Sequence, residues 1–502
     1  MMKIYHKIRK IPVVGLVFRH CLAALTGLAL LLHLCSLDGG HNWGGDFASY
    51  LRQAYCIADG SFEPFLSQNT FTILESDFQM GPIAYPWGYP LLLAPCTRLC
   101  RSSLFLMKIP VVVCFLGFLF GIYGLFRDRL RRIDLLLLLG VFACSPVLAT
   151  VSNDINSDTV FLCFAYFGLF LCRKCLEPGE WKPNLLRCFI AGLVCGYAVM
   201  IRMNGIVLLP AFILASFAGE SVHDRRFGRA LIRCAALLLG AGLTISLFLA
   251  VFPSGEASHV HLLLKGLSPQ SLLDHFVFYG FKVWTDWFKA DNLLPVFAGG
   301  LLWAAALAAL VRGLCVSFRQ QMPETVLYGV FICGMLAVYM VWPAMEQRFM
   351  YPLLPVLLFW ILLGIRSLRV RRFFLPVSFY CRMLIIALTV TGLALCCFRA
   401  ARLRLKGNPL KCASYTPQSL RLYEYIRKNT PPDAVILFFK PRVMTLQTGR
   451  RSLYIFRPEH LDKGDYYCHT DDVQDRSGEL LKDRRLKECY RDEQFRFFRI
   501  LK

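Results

Sequence analysis

The sequence predicts an α-helical polytopic membrane protein with a small C-terminal α/β extracytoplasmic domain. Three observations predict it. The 502-residue chain is 56% hydrophobic, above the roughly 45–50% usual for soluble domains, and its mean hydropathy is +0.50. The apolar residues gather in blocks near the ~20 residues that cross a bilayer. Lys and Arg collect in short segments between those blocks. The net charge of +23 therefore reads as the positive-inside bias of a membrane protein, and no nucleic-acid motif accompanies it.

The elements follow in order. Lys3, Lys7, Arg9, Lys10 and Arg19 precede an apolar run at 21–34, as in a signal sequence. No small-x-small cleavage site follows, so this is an uncleaved first span. In all, about eleven spans are expected, at roughly 13–36, 104–126, 133–150, 158–173, 185–201, 204–218, 231–252, 293–311, 325–342, 350–366 and 376–398. Basic clusters at 127–132, 173–174, 225–229, 312–319 and 366–372 lie inside. With the N-terminus cytoplasmic, an odd number of spans puts the C-terminus outside. The segment 86–95 is apolar but carries Pro86, Pro90 and Pro95. Prolines at this spacing break a continuous helix, and a crossing there would put the 127–132 cluster outside. It is expected to be interfacial or re-entrant, shielded by protein.

Three outside segments remain. The first loop, about 38–103, carries Asp38, Asp46, Asp59, Glu63, Glu75 and Asp77. A short second loop runs Ser152-Asn153-Asp154-Ile155-Asn156-Ser157-Asp158. A third, about 253–292, holds His259, His261, Asp274, His275 and an aromatic run over 276–288, in which Trp284, Trp287 and Phe288 suit a membrane interface. The chain divides at about 398/399 into a membrane domain, 1–398, and a soluble tail, 399–502. In the tail, Leu422, Tyr425 and Ile426 share a helical face before the stop signal Asn429-Thr430-Pro431-Pro432, and 434–439 and 452–456 read as strands. Many of the 21 cysteines lie inside apolar blocks as small apolar side chains. The pair Cys172-Arg173-Lys174-Cys175 has no second pair and no nearby His at zinc spacing. Cys412, Cys468 and Cys489 leave a tail disulfide open. No internal repeat is evident.

Four groups of residues could carry chemistry. Asp46, in His41-Asn42-Trp43-Gly44-Gly45-Asp46-Phe47, stands where the chain first leaves the bilayer. A carboxylate there can accept a proton from an acceptor hydroxyl, or help hold a cation; the alternative is a solvated loop Asp. Asp154 and Asp158 lie four apart at the mouth of the fourth span and share a face if the helix starts by Asp154. Helix capping by Asn153, Asp154 or Ser157 is the alternative. Arg202 and Arg348 lie outside, against the bias for basic residues, and guanidinium suits bidentate phosphate binding. Their alternatives are snorkelling or pairing with Glu346. His259 and His261 form a His-x-His pair that could ligate a metal.

Taken together, these residues resemble the GT-C glycosyltransferase superfamily, and more closely bacterial membrane proteins related to protein O-mannosyltransferases and lipid A aminoarabinose transferases. The matching segments are Gly45-Asp46-Phe47-Ala48-Ser49-Tyr50-Leu51, Tyr85-Pro86-Trp87-Gly88-Tyr89-Pro90, Ser157-Asp158-Thr159, Ile201-Arg202-Met203-Asn204-Gly205 and Arg348-Phe349-Met350-Tyr351-Pro352. In the tail, Lys440-Pro441-Arg442 and Thr448-Gly449-Arg450-Arg451-Ser452 continue the likeness. The resemblance implies an inverting hexosyl or pentosyl transferase that uses a polyprenyl-phosphate donor at the non-cytoplasmic face, in a bacterial inner membrane. On it, Asp46 deprotonates the acceptor, which is a protein, lipid or glycan. Asp158, or Asp154, assists or orients. Arg348, with Arg202 and Tyr351, holds the donor phosphate as charge grows on it. Two departures stand out. Asp46 has no neighbouring acid, and Tyr85 occupies a position that often carries Lys. Such proteins differ in metal use, so no cofactor is implied beyond an open place for a divalent metal. Two other classes compete. A transporter or lipid flippase would not call for a large acidic first loop, and a scaffold would use the tail to recruit partners.

Overall fold

The computed structural model describes residues 12–502 except 79–80, 100–102, 178–180, 219–224, 254–267, 283–292, 343, 368–376, 407–412, 472 and 474–475. Each apolar block forms a helix. Among the described residues, seven helices are long and apolar enough to cross a membrane, and an eighth span arises if Arg132–Ala143 and Pro146–Ser152 count as one. That pair, expected as a single span over 133–150, is bent by 51°. Pro146 has no N–H to continue the helix, and the Ser145 hydroxyl caps the new start by accepting from the Leu148 N–H at 3.3 Å. Two apolar helices, Met203–Phe217 and Leu354–Ser367, are shorter.

Close helix crossings set the frame. Trp181–Ile201 packs along Arg225–Val251. A Cβ at Gly192 would strike the Leu237 carbonyl and one at Gly240 the Phe189 carbonyl, so glycine lets the two backbones touch. At one end of this bundle the first loop folds into three helices, Gly45–Asp59, Phe62–Glu75 and Gly88–Leu99. The proline segment is the last of these. It tolerates Pro90 in its first turn and holds Pro95 inside, and at 12 residues it spans only ~18 Å. It packs on Gly45–Asp59 and on the end of Trp181–Ile201.

The tail is a small α/β unit. The final apolar helix, Val377–Lys406, runs past the expected boundary at 398. Helix Pro417–Asn429 then begins under a Thr416 cap, which accepts from the Ser419 N–H at 3.2 Å. Its Leu422 and Ile426 are buried, while Tyr425 packs on Tyr490. Strands β1 (Val435–Leu437), β2 (Arg451–Leu453), β3 (Tyr466–Thr470), β4 (Leu486–Arg491) and β5 (Phe495–Ile500) form one sheet in the order β2-β1-β3-β5-β4. The first three are parallel, and β5 and β4 join antiparallel. The expected strands correspond to β1 and β2. Cys468 is buried and Cys489 exposed, both as free thiols.

The tail docks on the first loop. The Thr72 hydroxyl donates to the Ser452 carbonyl at 3.0 Å, and the Asp77 N–H donates to the Tyr454 carbonyl at 3.0 Å. The Asp77 carboxylate accepts the Phe456 and Arg457 N–H groups at 2.8 and 2.9 Å. Trp43 presents its ring to Phe438 and Phe439, with centroids 5.6 and 5.2 Å away. Loop and tail thus share one apolar core.

Candidate active site

A cavity of about 830 Å³ opens where the first loop, the second loop, the turn at Arg202, the turn Gln347–Met350 and the tail meet. Asp46, Asp154, Arg202, Arg348, Glu346, Tyr85 and Arg442 all line it. Asp46 lies in the first turn of helix Gly45–Asp59, where the positive end of the helix dipole favours an anion. Its Oδ1 accepts the Tyr85 hydroxyl at 2.6 Å, and its Oδ2 lies 3.9 Å from Arg348 Nη2. Burial, then the Asp46 charge, hold the Tyr85 phenol well above its usual range, so it stays a proton donor.

The two arginines are fixed from behind. Asp158 opens helix Ser157–Leu176, with its side chain 7% exposed. It pairs with Arg202 and receives Arg348 Nη1 at 3.2 Å. Glu346 takes Arg348 Nη2 at 2.9 Å. Asp158 does not line the main cavity. It borders a small cleft on the far side of the arginines, and Tyr351 stands there with it. The two expected second-loop acids therefore occupy different places. The helix starts at Ser157, after Asp154, so they share no helical face. Asn156 is its N-cap but makes no side-chain cap bond. Asp154 does reach the cavity wall, with its Oδ1 3.5 Å from Asn42 Nδ2. Burial raises its carboxyl to about 6, so near neutral pH it can take or give a proton.

His41 closes the wall beside it. Its Nε2 accepts the Ile155 N–H at 3.1 Å, which leaves the Nδ1 proton for the Asn42 carbonyl, also at 3.1 Å. Burial lowers this imidazole to about 4, so it is a neutral structural link between the first and second loops. His275 is also buried, between the Ser271 and Trp342 carbonyls. His259, His261, Trp284, Trp287 and Phe288 lie outside the described residues. Among the described residues no three His, Cys, Asp or Glu gather as metal donors.

Arg442, Lys440 and Tyr85 stood in matched segments without a role, Tyr85 also as a departure. The structure brings all three to the wall. Pro441 does signal a helix start, but Arg442 is buried in the first turn of Pro441–Thr448, and nothing local in the sequence places that turn against the first loop.

A family model described as dolichyl-phosphate-mannose-protein mannosyltransferase matches residues 84–251, less than half of the chain. A search of curated proteins finds no match. Among solved structures, ArnT from Cupriavidus metallidurans, determined with undecaprenyl phosphate, is similar with a TM-score of 0.58 at 12% identity, covering 95% of this chain and 97% of that one. The archaeal oligosaccharyltransferase AglB from Archaeoglobus fulgidus, determined with an inhibitory peptide and a dolichol-phosphate, is similar with a TM-score of 0.52 at 11% identity, covering 89% of this chain and 69% of that one.

Proposed function

The chain has the fold of the GT-C superfamily of membrane glycosyltransferases, and from that premise we propose that it transfers a sugar from a polyprenyl-phosphate donor to an acceptor hydroxyl at the non-cytoplasmic face. The observation that carries this reading is the sharing of one cavity by Asp46, Arg202 and Arg348. A volume of about 830 Å³ falls within the ~300–1,000 Å³ typical of ligand pockets, room enough for a glycosyl phosphate headgroup.

Asp46 takes the proton of the acceptor hydroxyl. The acceptor oxygen attacks the anomeric carbon opposite the phosphate, and the bond from that carbon to the phosphate oxygen breaks. Attack from the opposite side inverts the configuration. The departing lipid phosphate gains one negative charge, and Arg348 and Arg202 meet it. Because Asp158 and Glu346 already hold those guanidinium groups, little reorganisation accompanies the charge shift. Asp158 is in this scheme a positioning residue, and Asp154, on the cavity wall, is the second acid that orients the incoming groups. Tyr351 supports the arginines from the cleft they share with Asp158.

Membranes containing the wild type or Asp46→Asn are supplied with undecaprenyl phosphate bearing a radiolabelled hexose or pentose. Transfer in the wild type and a loss of at least ~100-fold in the variant, in line with removal of a general base, are the expected outcome. An Asn variant that transfers at the wild-type rate removes Asp46 from the chemistry. Absence of any transfer of labelled sugar by the wild type refutes the function itself.

A further inference from the structure

The tail does more than cover the cavity. Helix Pro441–Thr448 starts at its rim, and the second residue, Arg442, is only 4% exposed. Its Nη2 donates to the Pro82 carbonyl at 2.6 Å, and its Nη1 lies 3.4 Å from the Tyr85 hydroxyl, across 357 residues of chain. The guanidinium also stands over the Tyr85 ring, 5.6 Å from its centre. The Tyr85 backbone is fixed in turn. Gln53 donates to its carbonyl at 2.8 Å and accepts its N–H at 3.2 Å.

A guanidinium can only donate. The Tyr85 oxygen therefore meets Arg442 as an acceptor, and the phenol's own proton is directed to Asp46 Oδ1, 2.6 Å away. Each bond in such a chain polarises the next. The fit is close. A Cβ at Gly81, whose φ is +81°, would lie 3.1 Å from the Tyr85 hydroxyl and 3.4 Å from Arg442 Nη1.

We propose that Arg442 and Tyr85 are positioning residues for Asp46, so that the tail completes the catalytic centre of the membrane domain. This rests on the reading of Asp46 as the base. Arg442 orients the Tyr85 hydroxyl, and the hydroxyl holds the carboxylate toward the acceptor while Arg348 flanks it on the other side.

The test uses full-length protein in detergent, with Tyr85→Phe, Arg442→Met and the double variant. The Asp46 carboxylate stretch is assigned in the infrared by subtracting the Asp46→Asn spectrum. It shifts in Tyr85→Phe and moves in the same direction in Arg442→Met. Losing one hydrogen bond to a charged group lowers kcat about tenfold, with the donor KM retained. The double variant is no worse than Tyr85→Phe, because both changes cut one chain. An Arg442→Met spectrum identical to wild type overturns the proposal, as does a double variant whose loss is the product of the single losses. Arg442→Gln, which keeps a shorter N–H donor, gives an intermediate shift and serves as the second reading if Met loosens tail docking. The infrared band needs no sugar transfer, so failure of the proposed reaction and failure of this coupling are separate results.

Discussion

Replacing Asp158 by Asn keeps the shape of the side chain and removes its charge. Two guanidinium groups, Arg202 and Arg348, then face each other across a neutral amide. Removing one partner of a buried ion pair costs about 3–5 kcal/mol. The arginine side chains are 22% and 26% exposed, and Arg348 keeps Glu346, so solvent and that carboxylate relieve part of the cost. About 2 kcal/mol is left as the penalty for holding both cations toward the cavity, which corresponds to about 30-fold in donor affinity. Initial rates measured against the concentration of undecaprenyl phosphate-linked sugar then show a donor KM raised by that factor. The turnover at saturation falls less than in Asp46→Asn, because Asp46, the proposed base, is still in place. A variant with unchanged donor KM, or one whose loss lies wholly in kcat, refutes the role assigned to Asp158 behind the arginines.

Two further outcomes are expected. Burial raises the Asp154 carboxyl from its ordinary 3.8 to about 6, so the fold favours the protonated form: the stability it contributes is complete below about pH 4 and is lost as pH rises through 6. Asp154→Asn, which is always neutral, therefore gains on the wild type by up to about 3 kcal/mol between pH 4 and 7.5, seen as a widening gap in apparent Tm, and a gap that stays constant with pH excludes this titration. A Cβ at Gly88 would lie 2.5 Å from the Met200 carbonyl oxygen and 2.7 Å from its carbon, so Gly88→Ala pushes the proline helix off the membrane bundle. It costs ~1–3 kcal/mol as overpacking and lowers transfer, whereas unchanged Tm and rate together show that this backbone contact is not tight.

How much was readable depended on the range of each interaction. The apolar blocks gave the helices because bilayer length and hydropathy are local quantities. The bend at Ser145-Pro146 was also local, yet an unbroken apolar block masked it. Arg202 and Arg348 stood out because they break the charge bias. Asp154 and Asp158 could not be told apart, since spacing alone does not fix where a helix begins, and a start at Ser157 sends one to the cavity wall and the other behind the arginines. Glu346 was read only as a partner of Arg348, and it is both that and part of the wall. Arg442 was out of reach. Its meeting with Tyr85 depends on how an α/β unit seats on a loop 357 residues earlier, and no periodicity in one chain records that.

The wall formed by Lys440, Pro441 and Arg442 has a consequence in time. Synthesis runs from the N-terminus, so the helices that carry Asp46, Asp158 and Arg348 are made long before the strands β1 to β5 exist. Until the sheet has closed around Leu437 and Tyr467 and settled on Asp77, the cavity lacks one side. A newly made membrane domain therefore holds an incomplete cavity until the sheet has folded against the first loop, and on the proposed function its full turnover comes only after that docking.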